Sequence, residues 1–198
     1  MKRLVDIVGA LVLGIVAAPV VALAAVGVLV DLGRPVLFVQ MRSGRGGREF
    51  RMAKLRSMTE ARASDGRLQP DGVRLTRYGR FLRRARIDEL PGLWHVLRGE
   101  MSIVGPRPLL PATIRALADG GAARGRVRPG LTGWSQVNGN ALLRDDDKFA
   151  LDLWYIEHAS MRLDLTILLR TLLVIVGGER LSAHRSRGAD AGYPRRGG

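Results

Sequence analysis

Residues 83–108, RRARIDELPGLWHVLRGEMSIVGPRP, decide how the chain is read. Their centre is the adjacent pair Asp88-Glu89, set between a basic run (Arg83, Arg84, Arg86) and Pro91. Two neighbouring carboxylates repel one another, so their place among arginines needs a physical reason. Proline suits the first position of a helix and biases the residue before it away from helical geometry. The spacing therefore predicts a helix from Pro91 to about Leu97, stopped by Gly99. Asp88 and Glu89 then lie just before its N-terminus, where unpaired N–H groups and the helix dipole favour anions. A carboxylate there stays ionised and can serve as nucleophile, as metal ligand, or as both. From the dyad alone, the simpler account is a helix-start acid pair bonded to nearby arginines.

The wider stretch changes that balance. IDELP (87–91), LWHVLRGEMS (93–102) and VGPRP (104–108), in this order and spacing, resemble the monotopic phosphoglycosyl transferases, the bacterial initiating sugar transferases. Three further blocks extend the resemblance: KxRSM at Lys54–Met58, RPGxTGxxQVNG at Arg128–Gly139, and DxWYxxxxSxxLD at Asp152–Asp164. It covers roughly Lys2 to Gly177. It departs from the usual pattern at Gly92, often glutamine, and at His95, often asparagine.

Composition agrees with a phosphate-handling membrane protein. The 198 residues suit one compact domain with material left for a membrane element. A formal charge of +14 implies anionic partners, whether nucleic acid, anionic lipid or phosphorylated substrates. Aromatics are too few and scattered for a base-stacking platform, which argues against nucleic acid. Cysteine is absent, so there is no disulfide framework and no cysteine-based site. The three histidines are far apart, and no zinc set, Walker motif or serine-hydrolase elbow is present.

Leu4 to Val30 is apolar with Asp6 as its only charge, which fits a secretory signal or a spanning helix. Pro19 predicts a kink or break near Ala17–Ala18, leaving arms of about 15 and about 11 residues, each shorter than the ~20 needed to span. Both flanks are basic, Lys2 and Arg3 before and Arg34 and Arg42 after, whereas a spanning helix ordinarily leaves one flank poorer in positive charge. A bent helix entering and leaving by the cytoplasmic face satisfies both facts. The resemblance implies such a re-entrant helix, broken at a proline. Ala18 stands where relatives often carry serine, whose hydroxyl could satisfy the freed carbonyl.

Val36–Val39 and Glu49–Lys54 predict a β-hairpin. Gly44, Gly46 and Gly47 supply its turn rather than a phosphate loop. Residues 61–73 read as a mobile loop. Thr76 is the expected N-cap of a helix over Arg77–Arg84, with Phe81 and Leu82 as its apolar contacts. Leu109–Ala123 reads as one surface helix. Asp145–Asp147 caps a helix over about Lys148–His158, whose apolar side is Phe149, Leu151, Leu153, Trp154 and Ile156, with Asp152 and Glu157 elsewhere. Trp154 and Tyr155 suit either the membrane interface or the core. Leu163–Val176 is apolar but too short to span, hence an interfacial or core helix interrupted by Arg170.

The expected fold class is α+β, mainly helical: a re-entrant membrane helix (1–33), a small hairpin within a compact cytosolic catalytic domain carrying interfacial helices (34–178), and a basic, disordered tail (179–198). The resemblance implies transfer of a phospho-sugar from a UDP-sugar to undecaprenyl phosphate, releasing UMP, at the cytoplasmic face of the bacterial inner membrane. It implies Asp88 as nucleophile, forming a phospho-sugar aspartyl intermediate, and Asp88 with Glu89 as ligands of Mg²⁺. Lys54, Arg56, Arg86 and Arg107 are the candidate phosphate holders. For Arg107, fixed between two prolines, structural ion pairing is the competing account. Gln136 and Asn138 are candidates for nucleotide or sugar contacts, or for satisfying loop backbone groups. The implied partners are the two substrates and membrane lipids, without nucleic acid; a homodimer is compatible, and the sugar is not identified. Two rival classes stand beside this reading: a membrane scaffold without catalysis, and an anchored nucleic-acid binder.

Overall fold

The apolar N-terminal segment forms one helix, α1 (Lys2–Leu32), in a computed structural model that describes residues 1–117 and 119–178. The expected basic tail, 179–198, lies outside the described residues. With 31 residues, and a mean hydropathy of 2.7 over its most apolar 18-residue window, α1 is long and apolar enough to cross a membrane. Pro19 lies inside this one helical element, which continues on both sides of it. Only Asp6, Ala10, Ala24 and Val28 of α1 are buried, two near each end, while Leu11, Leu13, Ile15, Val16 and Leu23 between them are exposed.

Both ends of α1 dock on the rest of the protein. At the start, Lys2 pairs with Asp164 at 2.5 Å, and the Arg3 guanidinium donates to the carbonyls of Val96 and Leu97. Asp6, a buried acid in an apolar helix, is satisfied by the Ser102 hydroxyl (2.9 Å) and the Ile103 N–H (3.0 Å). At the far end Tyr78 Oη donates to the Ala24 carbonyl at 3.2 Å. Gly27 makes that approach possible, since a Cβ there would lie 2.2 Å from the Tyr78 hydroxyl oxygen.

The hairpin follows as β1 (Leu37–Ser43) and β2 (Glu49–Leu55), antiparallel in the register Leu37 opposite Leu55 through Ser43 opposite Glu49. Its turn is the predicted glycine stretch, with Gly46 and Gly47 at positive φ. The loop at 61–73 carries structure of its own: Arg62 and Leu68 form a β-bridge, and it ends in α2 (Asp71–Arg74). Thr76 caps α3 (Arg77–Arg84) as expected, its hydroxyl accepting from the Gly79 N–H at 2.8 Å. Leu82 of α3 is fully buried, whereas Phe81 is exposed.

The dyad departs from expectation. Helical geometry begins before the proline, as a 3-10 turn over Ile87–Gly92 that contains Asp88, Glu89 and Pro91, and continues as α4 (Leu93–Arg98). The stop is as read: Gly99 takes the left-handed conformation at φ 85°.

Two three-residue strands, β3 (Ser102–Val104) and β4 (Gly130–Thr132), pair in parallel. The single helix expected over Leu109–Ala123 is two, α5 (Pro111–Ala116) and α6 (Asp119–Arg124). Gly121 permits the fold-back, since a Cβ there would lie 2.4 Å from the Ile114 carbonyl oxygen. A short helix, α7 (Trp134–Val137), precedes α8 (Asp145–His158), which starts at the aspartate triplet, so these acids occupy its first turn rather than capping it. Ser160 caps α9 (Met161–Gly177). Leu165, Leu169, Leu172, Leu173 and Val176 leave an exposed apolar stripe on α9.

The main core joins Ala10 of α1, Phe50 and Met52 of β2, Leu93 and Val96 of α4, Ile103, Trp134, Leu151, Tyr155 and Ile167. Tyr155 belongs to this core rather than to an interface. It is 1% exposed and donates to Asp164 at 2.7 Å, and burial pushes its hydroxyl pKa upward. Trp154 stacks on Trp134 with ring centres 5.2 Å apart.

Candidate active site

The core places β2 and the 3-10 turn side by side, and this brings Lys54 to the dyad. Lys54 Nζ stands 3.8 Å from Glu89 Oε1. Arg107, from the rigid VGPRP turn, reaches the same oxygen at 3.1 Å, and Arg86 approaches Glu89 Oε2 at 3.4 Å. Arg86 adopts the left-handed conformation (φ 55°) immediately before the dyad. Burial alone would raise the Glu89 pKa, but Arg107, Lys54 and Arg86 outweigh it and hold the carboxyl below its usual range. Burial lowers the Lys54 pKa, with Glu89 opposing.

Asp88 is in the opposite condition. It is 5% exposed, and its buried Oδ1 has no hydrogen-bond partner among the described residues. Burial first, and the adjacent Glu89 second, push its pKa up to about 6. Two cavities, of about 450 Å³ and about 430 Å³, meet at this carboxylate, and Asp88, Lys54 and Arg83 line both. The first extends along the hairpin to Arg62 and Arg74, the second past Asn140 to Val174 of α9. Neighbouring carboxylates thus acquire different characters, one locked among cations and one open to two basic cavities.

Asp88, Glu89, Lys54, Arg86 and Arg107 come together as the sequence suggested. Three other candidates do not join them directly. Arg56 lines the first cavity, but its guanidinium turns to the C-terminal end of α1, donating to the carbonyls of Leu32, Gly33 and Arg34. Asn138 is 1% exposed and consumed by the loop: its amide donates to the Trp134 carbonyl at 2.7 Å and its oxygen accepts from Arg170 at 3.1 Å. Gln136 donates to the Leu131 carbonyl at 3.1 Å, while its buried oxygen lacks a partner among the described residues. It edges a small void shared with Lys54, Glu89 and Arg107.

Several participants were missed in the sequence. Arg83 donates to the Ser57 hydroxyl at 2.9 Å beside Asp88. Arg124 donates to the Arg107 backbone carbonyl at 2.6 Å and forms a buried ion pair with Asp152. Asp152 also accepts from the Ser135 hydroxyl at 2.7 Å. Asp152 therefore faces inward from α8 and, through Arg124, fixes the turn that carries Arg107. The DxWY motif held the only signal for it.

Among the described residues no cluster of three or more His, Cys, Asp or Glu could hold a metal. Asp88 has one unengaged carboxylate oxygen, the kind of donor that Mg²⁺ takes. Glu89 does not fit while three cations surround it.

The sequence model of a family described as bacterial sugar transferase matches residues 1–178. The chain belongs to the bacterial sugar transferase family. An uncharacterized sugar transferase of Bacillus subtilis, EpsL, is 42% identical over 179 residues, covering 90% of this chain and 89% of that protein. The UDP-glucose:undecaprenyl-phosphate glucose-1-phosphate transferase of Caulobacter vibrioides is 43% identical over 86% of this chain and 68% of its own length. The undecaprenyl-phosphate glucose phosphotransferase of Komagataeibacter xylinus is 41% identical over 86% of this chain, which spans only 35% of that larger protein. The dyad, both cavities and the docked α1 of this sugar transferase all lie inside the region the family model matches.

Proposed function

We propose that this polyprenyl-phosphate phosphoglycosyl transferase moves a phospho-sugar from a UDP-sugar to undecaprenyl phosphate, releasing UMP, at the first membrane step of glycoconjugate assembly. The product glycan would be an exopolysaccharide, capsule, O-antigen or glycoprotein glycan. The substrate classes follow those named for the relatives. The observation that carries the mechanism is the buried, unpartnered Asp88 oxygen at the junction of two basic cavities.

An Asp88 oxygen attacks the sugar-bearing phosphorus of the donor. The bond from that phosphorus to the bridging oxygen breaks, and UMP leaves with the bonding electrons. A phosphate oxygen of undecaprenyl phosphate then attacks the same phosphorus, and the Asp88 carboxylate departs unchanged. Lys54, Arg83 and Arg107 face the transferring group and balance its charge. Glu89 anchors Lys54, Arg86 and Arg107 in position. Asp88 would be the residue to hold Mg²⁺, which would supply further neutralisation of phosphate charge. The cavity beside α9 suits the polyprenyl substrate, because Val174 of α9 lines it and the same helix carries an exposed apolar stripe. The hairpin-side cavity, rich in arginine, suits the nucleotide sugar.

The re-entrant topology is supported by the docking of both ends of α1 on one catalytic body. A straight 31-residue helix would be about 46 Å long, enough to part its ends across a bilayer. Cysteines introduced at Lys2 and Arg34 are expected to react from the cytoplasmic side alone; labelling from opposite sides would overturn this topology.

The activity test is UMP release by detergent-solubilised protein over a panel of UDP-sugars with Mg²⁺ and undecaprenyl phosphate. One sugar should support release, and Asp88→Asn should abolish it. Silence from folded protein across the panel would favour the scaffold reading.

A further inference from the structure

A cavity of about 560 Å³ lies away from Asp88. It opens between the hairpin turn at Gly44–Phe50 and the turn at Arg98–Glu100, with Arg128 in its wall. It shares no lining residue with either cavity at the dyad. Four arginines line it, Arg45, Arg48, Arg98 and Arg128, against two carboxylates.

Both carboxylates are already engaged. Glu100 meets His95 Nδ1 at 2.6 Å and Arg98 at 3.5 Å, and Glu49 meets Arg115, outside the cavity, at 3.4 Å. Arg128 is held by its Nε–H on the Gly99 carbonyl at 2.8 Å, so its terminal nitrogens retain donors. Among the described residues Arg45, Arg48 and Arg128 have no acidic partner. The cavity therefore holds an excess of fork-shaped cations with unused donors, which suits a phosphate.

Its position indicates where such a phosphate comes from. Gly99, in the cavity wall, lies against Arg3: a Cβ at Gly99 would be 3.3 Å from the Arg3 guanidinium. The exposed apolar face of α1 begins with the next residue, Leu4, at 67% exposure. The cavity thus sits beside the N-terminal end of the apolar helix, the level of lipid headgroups if α1 is in the membrane.

We propose that this cavity is a binding site for a phosphate-bearing anion, separate from the catalytic centre, and that it takes the headgroup of an anionic membrane lipid. The proposal does not depend on the transferase mechanism, since no residue of the dyad takes part.

The test is thermal stability of the detergent-solubilised full chain, titrated with dioctanoyl-phosphatidylglycerol, dioctanoyl-phosphatidylcholine or inorganic phosphate. Phosphatidylglycerol should raise the melting temperature saturably, and phosphatidylcholine should not. The double variant Arg45→Gln/Arg48→Gln should need about tenfold more phosphatidylglycerol for the same rise. Its unliganded melting temperature, compared with wild type, shows whether it folds. Arg98→Gln, on the opposite wall, gives a second arm with the same expectation. A matching response to inorganic phosphate, lost in the same variants, would support the anion site and assign it to free phosphate. Equal responses to both lipids, or unaltered titrations in all variants, would overturn the proposal.

Discussion

Replacing Asp88 by asparagine should stabilise the folded protein, by an amount that depends on pH. Burial and Glu89 raise the Asp88 pKa from 3.8 to about 6. At 1.36 kcal/mol per pH unit this gap is worth about 3 kcal/mol. The sign follows from where the proton sits. Below pH ~4 both native and unfolded chains hold it, and ionisation makes no difference between the two proteins. Between pH ~4 and ~6 the unfolded chain releases the proton while the native state keeps it, so wild-type stability falls. Above pH ~6 the whole penalty is present, and asparagine, which does not titrate, escapes it. For a chain of this size the gain is about 6–12 °C in melting temperature at pH 8, shrinking towards zero at pH 4. Melting curves of both proteins in one detergent, without Mg²⁺, measure it across that range. A difference that is flat with pH, or a variant less stable than wild type at pH 8, would refute the view of Asp88 as a strained carboxylate.

The same carboxylate sets the rate profile: kcat/KM should fall about tenfold per unit below pH ~6 as Asp88 takes up its proton, measured by UMP release. Asp152→Asn leaves Arg124 buried without its charge partner, which should cost about 3–5 kcal/mol and slow transfer, because Arg124 holds the turn carrying Arg107; chemical denaturation and turnover at a temperature where the variant is folded measure the two effects. His95 accepts from the Ala53 N–H at 3.1 Å through Nε2 and so fixes the strand that carries Lys54. His95→Leu should lower kcat about tenfold in folded protein, and His95→Asn, whose amide also accepts, should recover most of it.

Local chemistry made much of this legible in the sequence. The hairpin follows from β-rich runs around glycines, the Thr76 cap from a hydroxyl before a helical run, and the stop at Gly99 from its tolerance of positive φ. The sequence singled out Lys54, Arg86 and Arg107 as phosphate holders near the dyad, and in the fold all three pair with Glu89. What failed was non-local. The parallel pair of β3 and β4 is three residues per strand and has no periodicity to read. The division of α5 from α6 depends on Gly121 meeting the Ile114 carbonyl, a contact no propensity encodes. Arg56 looks like a phosphate ligand in its motif, yet folding sets it beside the last carbonyls of α1. Asp152 reads as a polar residue of an amphipathic helix until Arg124 arrives from 28 residues earlier to pair with it. Equally, nothing local distinguishes Asp88 from Glu89; the difference lies in which of the two the arginines reach.

The central claim is that Asp88 carries the phospho-sugar. Intact-mass and peptide spectra of the protein, incubated with its UDP-sugar in the absence of undecaprenyl phosphate and quenched in acid, test it most directly. The account predicts one phospho-sugar added per chain, on the peptide containing Asp88, with one UMP released, and loss of the adduct when undecaprenyl phosphate is added. Unmodified protein during lipid-dependent turnover, or an adduct that persists in Asp88→Asn, would contradict it.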